Sequence, residues 1–310
     1  MKRRELLKGS WTLGVGAGIL ITRPGRPSVR IADEIRLGDV TARPESLPPP
    51  VQGPIPVAFT LADEVTLIDF CGPWDIFQNA RLKGRPEPLF HPYTVAATSS
   101  ITANGGLRIA PSYTFDSAPQ PKVIVVPGQA CGEPSEALID WVRRTSPHTD
   151  LTMSVCLGAF VLARAGLLDG KSATTHHNAY TDLSMQYPTI RVKRGLRFVE
   201  AGNLATAAGQ YSGIDLALRV VERYFGRDVA QEVAYFTEYQ GLGWIDMDSN
   251  QVYRKHPVAS SAYPLCPVCE MEVDPGGAYT SIYRGRRFYF CRPSHQVAFE
   301  RAPDQYLAML

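Results

Sequence analysis

A thiol stands at the junction between a predicted strand and a predicted helix in residues 151–170, LTMSVCLGAFVLARAGLLDG. The apolar run 151–155 ends at Cys156, and the residues that follow carry apolar side chains at helical spacing. One interpretation is that Cys156 is a small buried hydrophobe. The other is that the turn lifts its side chain to the edge of a sheet and directs a helix N-terminus at it, which favours a thiolate. The junction alone leaves both interpretations open.

Three more groups follow predicted strands. Asp69 lies in DEVTLIDFCGPWDIF, Gly128 follows VIVVP, and His176 closes SATTH. Because ligands bind at the carboxyl ends of parallel strands, these groups and Cys156 are expected to converge. A thiol to attack, an imidazole to move protons and backbone N–H groups to hold an oxyanion make a nucleophilic site. The structural alternatives are that Asp69 caps a helix and that His176 is an ordinary core histidine.

A second group of candidates lies near the C-terminus. Cys266 and Cys269 form CPVC, and Cys291 and His295 form C-x-x-x-H. Two ligands on a tight turn and two on one turn of a helix can converge on a tetrahedral ion. Thiolate-rich sites suit Zn²⁺ or Cu(I), so one metal ion, zinc or copper, is predicted. The alternative is a Cys266–Cys269 disulfide with Cys291 left free.

The elements that must position these groups alternate along the chain. Strands are predicted at IPVAFTL, YTVAAT, KVIVVPG, LTMSV, SATT and NLATAAG, and helices at PSEALIDWVRR and SGIDLALRVVERYF. This alternation predicts an α/β fold with a parallel sheet that is covered on both faces. The predicted divisions are an export signal at 1–22, a Pro-rich linker at 23–54, the large domain at 55–240, a second linker at 241–263 and a small C-terminal domain at 264–310.

The small C-terminal domain, residues 264–310, is expected to need a bound metal ion to fold. It contains a predicted hairpin, AYTSIY and RFYF, with its turn at Arg284-Gly285. So short a segment buries too little apolar surface to be stable alone, and small domains of this kind are commonly stabilised by a bound metal ion.

The N-terminus predicts export. Arg3 and Arg4 precede a Gly-rich apolar run from Gly9 to Thr22, and this arrangement resembles a twin-arginine signal. The run is short for a membrane span, and no clear cleavage site follows it. The protein is therefore expected to be periplasmic or otherwise exported, with membrane contact only through this segment if it stays uncleaved. The alternative is an ordinary basic N-terminus on a cytoplasmic protein.

The charge balance narrows the expected partners. With 32 basic and 30 acidic residues the formal net charge is +2, which gives no argument for nucleic acid or an anionic membrane. The expected partner is a small-molecule substrate, and a homo-oligomer is left open.

Residues 55–240 resemble a known family. SVCLGAFVLARAGLLDGKSATTH is similar to the cysteine-and-histidine segment of the ThiJ/PfpI group of class I glutamine amidotransferase-like proteins. DEVTLIDFCGPWDIF and NLATAAGQYSGIDLALRVVERYFGRDVA are similar to its opening and closing segments. The resemblance implies a flavodoxin-like three-layer α/β sandwich.

The resemblance also implies roles for single residues. Cys156 corresponds to the nucleophile or redox cysteine, His176 to its histidine, Asp69 to the neighbouring carboxylate, and Gly128 to a backbone donor. Leu157 stands where members similar to isonitrile hydratases usually carry Thr, which leaves its backbone N–H as a donor.

The C-terminal segment resembles YHS domains, through CPVCEMEV, YRGRRFYFC and PDQYL. This resemblance implies metal binding, although most such domains carry Cys where His295 stands.

Together these features predict an exported ThiJ/PfpI-type protein in which Cys156 attacks a small electrophilic carbon, as in a hydrolase or hydratase, coupled to a metal-binding tail. The alternative is a periplasmic ligand- or metal-binding protein without turnover.

Related sandwiches also serve as sensory halves of transcription regulators, but CPVC and FYFC stand where those carry a helix-turn-helix. A further alternative, for an oxidising compartment, is a disulfide between Cys131 and Cys156.

Overall fold

The computed structural model describes residues 45–307, apart from 86, 130–133, 255–259, 261 and 269–271. The predicted export signal, Cys131 and Cys269 therefore lie outside the described residues. The described part belongs to one compact unit, Pro44–Leu310. Within that part, no helix combines the length and the apolar character that crossing a bilayer requires.

The secondary structure alternates as predicted. The strands are β1 (Ile55–Thr60), β2 (Phe90–Ala96), β3 (Ile101–Thr102), β4 (Arg108–Ile109), β5 (Tyr113–Thr114), β6 (Val123–Val126), β7 (Leu151–Val155), β8 (Ser172–Ala173), β9 (Arg191–Val192), β10 (Phe198–Ala201), β11 (Leu204–Ala207), β12 (Tyr279–Tyr283) and β13 (Arg286–Phe290). The helices are α1 (Leu67–Asn79), α2 (Glu136–Thr145), α3 (Gly158–Arg164), α4 (Tyr180–Gln186), α5 (Ser212–Phe225), α6 (Arg227–Phe236), α7 (Pro293–Arg301) and α8 (Pro303–Leu307). Short 3-10 turns lie at Ser146–His148, His177–Ala179 and Gln251–Tyr253.

The central sheet has seven strands in the order β10-β11-β7-β6-β1-β2-β5. All neighbours are parallel except β10 and β11, which are antiparallel. The order β2-β1-β6-β7-β11 is that of flavodoxin-like sheets, in which the chain changes direction across the sheet between β1 and β6. The predicted fold class is therefore confirmed, and a crevice is expected where β1 and β6 end.

Helices cover both faces of this sheet. Leu216 and Val220 of α5 pack with Phe77 of α1 in one core. On the other face, Leu138 of α2 and Leu162 of α3 lie in a second core. Every residue of β7 is buried, because this strand has helices above and below it.

The strand predicted at SATT is shorter than expected and lies outside the central sheet. β8 ends at Ala173 and pairs with β9. After β8 the chain is held by hydrogen bonds that involve side chains. The backbone N–H of Thr174 donates to the hydroxyl of Thr206, and the hydroxyl of Thr174 donates to the carbonyl of Lys193. His176 therefore follows a strand that is separate from the one carrying Cys156.

Parts of both predicted linkers are attached to the sandwich. The N–H of Leu47 donates to the carbonyl of Arg223, and the guanidinium of Arg223 donates to the carbonyl of Glu45. In the second segment Trp244 is buried in the core. The domain boundaries themselves stay predictions.

The C-terminal segment contains the hairpin predicted from its sequence. β12 and β13 pair antiparallel, and Arg284 and Gly285 adopt the left-handed conformation at the turn, with φ of 51° and 76°. Phe288, Phe290 and Phe299 form a small core that joins the hairpin to α7.

Candidate active site and candidate metal centre

Cys156 occupies a sharp turn between β7 and α3. Its φ of 58° is a left-handed conformation that few residues other than glycine adopt. Neighbouring segments hold it there: its N–H donates to the carbonyls of Ala207 and Ala208, and its carbonyl accepts the hydroxyl of Thr175 at 2.8 Å. Only 5% of Cys156 is exposed. Strain that is held by the surrounding structure is typical of functional sites.

Two glycines let the strand ends approach this turn. A Cβ on Gly158 would lie 2.0 Å from the carbonyl oxygen of Val126, so only glycine fits there. A Cβ on Gly128 would lie 2.8 Å from Asp69 Oδ2 and 2.9 Å from the nitrogen of Leu157. The ends of β6 and β7 therefore meet the start of α1 at one point.

Asp69 lies in the first turn of α1 and is completely buried. Its Oδ2 accepts the N–H of Gly128 at 3.0 Å, and its side chain also hydrogen-bonds the thiol of Cys156. Oδ1 has no hydrogen-bond partner within the described residues. Thr66, not Asp69, occupies the N-cap of α1. The geometry thus does not match the interpretation in which Asp69 caps the helix.

The thiol and the carboxyl group form a buried pair that retains a proton. Burial raises the pKa of Asp69 to about 7, against the lowering effect of the Gly128 N–H and of Cys156. Burial and the carboxylate of Asp69 also raise the pKa of Cys156, against the N–H groups of Leu157 and Gln210. The sequence predicted a lowered pKa for this thiol, and the direction is the reverse because a buried carboxyl group lies beside it. Both shifts disfavour the doubly ionised pair, so the two groups titrate as a unit.

The backbone donors at the thiol differ in part from those predicted. Leu157 donates its N–H as expected, whereas the N–H of Gly128 is taken by Asp69. Gly128 thus positions the carboxylate. The second donor to sulfur is Gln210, which sequence reasoning missed. Its only signal in the sequence was its place after the glycine that ends NLATAAG.

His176 directly follows Thr175, whose hydroxyl bonds the carbonyl of Cys156. Its Nδ1 accepts the N–H of Asn178 at 3.3 Å, and its ring stacks on that of His177 with centroids 4.3 Å apart. Burial and the neighbouring His177 lower the pKa of His176 to about 4, so the imidazole is neutral at pH 7. Its ring lies against Gly209.

Hydrogen bonds link four of the predicted site residues, Asp69, Gly128, Cys156 and Leu157, to one another. Among the described residues, Asp69, Leu157 and Gln210 are the groups that hydrogen-bond the thiol, and His176 is not one of them. Cys156 is a free thiol, and its predicted pairing with Cys131 lies outside the described residues.

A cavity of about 340 Å³ lies at the same edge of the sheet. Its walls come from the segments after β1 and β2 and from the start of α2, and Gln129 reaches it directly after Gly128. Cys156 is not among the lining residues. This cavity is a neighbour of the candidate active site, not the site itself.

Comparison with known proteins decides the family. The profile of the DJ-1/PfpI family matches residues 56–223, which is more than half of the chain. The chain belongs to the DJ-1/PfpI family. It is 37% identical to an isonitrile hydratase of Pseudomonas putida over 186 residues, which cover 59% of this chain and 78% of that protein.

Solved structures agree with this assignment. A THiJ/PfpI family protein from Pseudomonas syringae matches with a TM-score of 0.54 and 26% identity, over 61% of this chain and 76% of that one. DJ-1beta of Drosophila melanogaster shares the fold, with a TM-score of 0.52 and 21% identity over 60% and 98% of the two chains. The resemblances to a YHS domain and to a twin-arginine signal stay predictions.

Beyond the DJ-1/PfpI domain, Cys266, Cys291 and His295 come together. Nδ1 of His295 lies 3.6 Å from Sγ of Cys266 and 3.4 Å from Sγ of Cys291. All three candidate ligand atoms lie within 4.8 Å of one another. The remaining predicted ligand, Cys269, lies outside the described residues.

These distances fit a tetrahedral ion. Zinc bonds of about 2.3 Å to sulfur and about 2.0–2.1 Å to nitrogen place the two ligand atoms about 3.5–3.6 Å apart at a tetrahedral angle. The two measured separations, 3.6 and 3.4 Å, lie at this value. Two thiols and an imidazole are also a soft donor set, which suits Cu(I) as well as Zn²⁺.

The far side of the His295 ring faces the DJ-1/PfpI domain. Nε2 of His295 lies 3.1 Å from Oδ2 of Asp182 on α4. Burial lowers the pKa of His295, but hydrogen bonds with Asp182, Cys266 and Cys291 raise it to about 11 overall. These neighbours stabilise positive charge at this position.

Proposed function

We propose that this protein is a cysteine-dependent enzyme that adds water to a small electrophilic carbon, with isonitriles as the first substrate class to test. The observation that carries the proposal is the hydrogen-bonded pair of Cys156 and Asp69 at the crevice of the sheet, where the pKa of Asp69 is about 7. A carboxyl group with a pKa near the working pH can both take and return a proton. The similarity to an isonitrile hydratase supports the choice of substrate class.

The proposed reaction needs no oxidant or reductant. The sulfur of Cys156 forms a bond to the terminal carbon of an isonitrile, R–N≡C, while the thiol proton passes through Asp69 to the same carbon. The covalent product is a thioimidate, R–N=CH–S–Cys. Water then adds across the C=N bond, with its oxygen going to the carbon and one proton to the nitrogen. The C–S bond breaks and the hydroxyl proton returns to sulfur. The released product is the formamide R–NH–CHO, which is the isonitrile plus one water.

The surrounding groups suit these steps. The N–H groups of Leu157 and Gln210 point at the sulfur and stabilise its negative charge as the proton leaves. Gly128 holds one oxygen of Asp69, and the other oxygen, which has no partner within the described residues, remains to meet the substrate. Leu157 brings no hydroxyl to position water, so Asp69 is the group that activates the water.

The test is formamide production from a panel of small isonitriles, with nitriles and amides assayed in parallel. We expect isonitriles to turn over and Cys156→Ala to lower the rate by at least about 10³-fold, because removal of a nucleophile abolishes the covalent route. The matched control is Cys71→Ala, which removes an exposed thiol on α1 and should leave the rate unchanged.

The alternative function has a different outcome. If none of the three substrate classes turns over while isonitriles still bind, the protein is a ligand-binding member of the family and the enzyme proposal fails. A rate that survives in Cys156→Ala would also overturn it.

We also propose that Cys266, Cys291 and His295, with Cys269 as the fourth ligand, hold one Zn²⁺ or Cu(I). The ion would fasten the turn after β13 to the CPVC segment, because the small core of the tail gives it little stability of its own. Elemental analysis of the purified protein tests this proposal. One equivalent of metal is expected, and Cys266→Ser should lose it.

For the N-terminus we propose twin-arginine export, on the strength of Arg3 and Arg4 ahead of the apolar run. Replacing both by Lys should retain the protein in the cytoplasm. Unchanged periplasmic recovery from a strain that lacks the twin-arginine translocase would contradict the proposal.

A further inference from the structure

We propose that Asp182 of the DJ-1/PfpI domain positions His295 for metal binding, so that the metal site of the tail is completed by the sandwich. This inference rests on the proposed metal site. It goes beyond that site because Asp182 lies outside the predicted metal-binding segment, on α4.

Asp182 is the point at which the two parts of the chain meet. It is 4% exposed, although it carries a charge and lies in the first turn of a short helix. Its Oδ2 lies 3.1 Å from Nε2 of His295 and 3.3 Å from Nη2 of Arg292. Met185, one turn further along α4, packs against the small core of the tail. A buried carboxylate with one partner on α7, His295, and one at its N-cap, Arg292, has a defined position.

The two ring nitrogens of His295 face different groups. Nδ1 faces the sulfurs of Cys266 and Cys291, whereas Nε2 faces Asp182. A metal ligand must present a lone pair, so the proton of the neutral ring has to reside on Nε2. A carboxylate that accepts this proton fixes the tautomer and the ring orientation, and makes Nδ1 a better donor.

Arg292 competes for the same nitrogen. Its Nε lies 2.7 Å from Nε2 of His295, and a hydrogen bond from Arg292 would require the lone pair on Nε2 and the proton on Nδ1. That tautomer cannot ligate an ion between the two thiols. Asp182 favours the other tautomer, because its Oδ2 lies 3.1 Å from Nε2 and can accept a proton that resides there.

The simpler explanation is that Asp182 and Arg292 form an ion pair that only docks the tail. Such a pair would affect how firmly the tail attaches but would leave the affinity and the geometry of the metal site unchanged. The two explanations therefore separate in a measurement of metal affinity.

The experiment is competition for Zn²⁺ between the full-length reduced protein and a chromophoric chelator. We expect Asp182→Ala to weaken Zn²⁺ binding by about 10–100-fold, which is the usual effect of removing such a supporting group. Asp182→Asn keeps an oxygen that can accept the Nε2 proton but loses the charge, so a smaller loss, of about threefold or more, is expected. The matched control is Asp169→Ala, which removes an exposed carboxylate of the same domain.

A spectroscopic readout accompanies the affinity. With Co²⁺ as the probe, the ligand-field bands should change in Asp182→Ala, because the imidazole no longer binds in a fixed orientation. Arg292→Gln removes the docking partner and the competing donor but leaves the Asp182–His295 contact, so its Co²⁺ bands should match those of the unaltered protein.

Failure of the inference differs from failure of the metal site. If Cys266→Ser loses the ion but Asp182→Ala binds Zn²⁺ as tightly as Asp169→Ala, the site stands and the role of Asp182 is wrong. If Cys266→Ser binds Zn²⁺ like the unaltered protein, the site itself is wrong. Should Asp182→Ala not fold, Asp182→Asn decides, and an affinity unchanged in that variant overturns the inference.

Discussion

Two buried cysteines, Cys156 and Cys266, have neighbours that give them opposite tendencies. Cys156 is 5% exposed and Cys266 is fully buried, so burial alone does not distinguish them. At Cys156 a carboxyl group touches the thiol directly. At Cys266 the imidazole of His295 lies 3.6 Å from the sulfur, and the carboxylate of Asp182 lies on the other side of that ring. The first arrangement keeps a proton, whereas the second favours a cation.

The difference indicates that the reactivity of a buried thiol depends on whether a carboxylate contacts it directly or acts on it through an imidazole. In direct contact, the carboxylate of Asp69 opposes ionisation of Cys156, so the thiol keeps its proton. With an imidazole in between, a carboxylate makes the near nitrogen a better metal ligand. The first site is therefore suited to proton-coupled attack and the second to metal binding.

Removal of the metal should give the largest effect. Structural Zn²⁺ contributes about 10–16 kcal/mol of apparent binding free energy in small sites, and the core of the tail is small. We expect a chelator under reducing conditions to unfold residues 264–307 and to leave the sandwich folded. Amide hydrogen exchange measures this, with β12 and β13 losing protection and β7 retaining it. Protection of both hairpin strands after complete removal of the metal would contradict the account.

The second prediction uses pH to separate the two sites. The folded pKa of Asp69 is raised from 3.8 to about 7, so protonated Asp69 contributes stability below pH 4, and this contribution is lost as the pH rises through 7. The full shift corresponds to about 4 kcal/mol. Asp69→Asn should therefore unfold at higher denaturant concentration than the unaltered protein at pH 8.5, and the difference should shrink toward pH 4.

The control for this prediction is Asp75→Asn, an exposed carboxylate on the same helix, α1. It should show no such dependence on pH. A gap between Asp69→Asn and the unaltered protein that is equal at pH 5 and pH 8.5 would mean that Asp69 is not held in a protonated state by burial.

A smaller effect is expected from the glycine that lets the turn approach β6. In Gly158→Ala the new methyl group would lie 2.0 Å from the carbonyl oxygen of Val126, and the backbone must shift. We expect a loss of about 1–3 kcal/mol in the free energy of unfolding, which is typical of overpacking. Gly277→Ala, where a Cβ meets nothing within 4 Å, should be neutral in the same denaturant titration. Equal stability of both variants would show that the turn is looser than described.

Much of the Cys156 site follows from the sequence, because parallel strands end at one edge of a sheet. The apolar runs before Gly128 and Cys156 were sufficient to place these residues together, and the first strand brought Asp69 to the same edge. This inference works because strand direction is fixed by local pattern and connection type.

Other parts of the site depend on contacts that no local pattern encodes. The strand before His176 has the expected composition, but it pairs with β9 outside the central sheet. The N–H of Gln210 reaches the sulfur because of the turn between β11 and α5. Asp182 looks like an ordinary first-turn acid until the tail packs on it. Long-range pairing and side-chain contacts decide all three.

The direction of the pKa shift of Cys156 was also not predictable. A turn before a helix indicates a lowered pKa, and the N–H groups of Leu157 and Gln210 do act in that sense. The opposing effects of burial and of Asp69 are larger. Their size depends on the depth of the site and on direct contact between two side chains, which become visible only in the structure.

The central claim is that Asp69 accepts the thiol proton of Cys156 during attack, and the rate of alkylation of Cys156 by iodoacetamide across pH tests it most directly. Asp69 is ionised above its pKa of about 7 and can then accept the thiol proton as the sulfur attacks, which predicts a step in the labelling rate near pH 7. In Asp69→Asn this step should be absent, and labelling should rise only above pH of about 8.5, the value for an ordinary thiol, because burial still disfavours the thiolate. Identical pH profiles in the unaltered protein and in Asp69→Asn would contradict the claim.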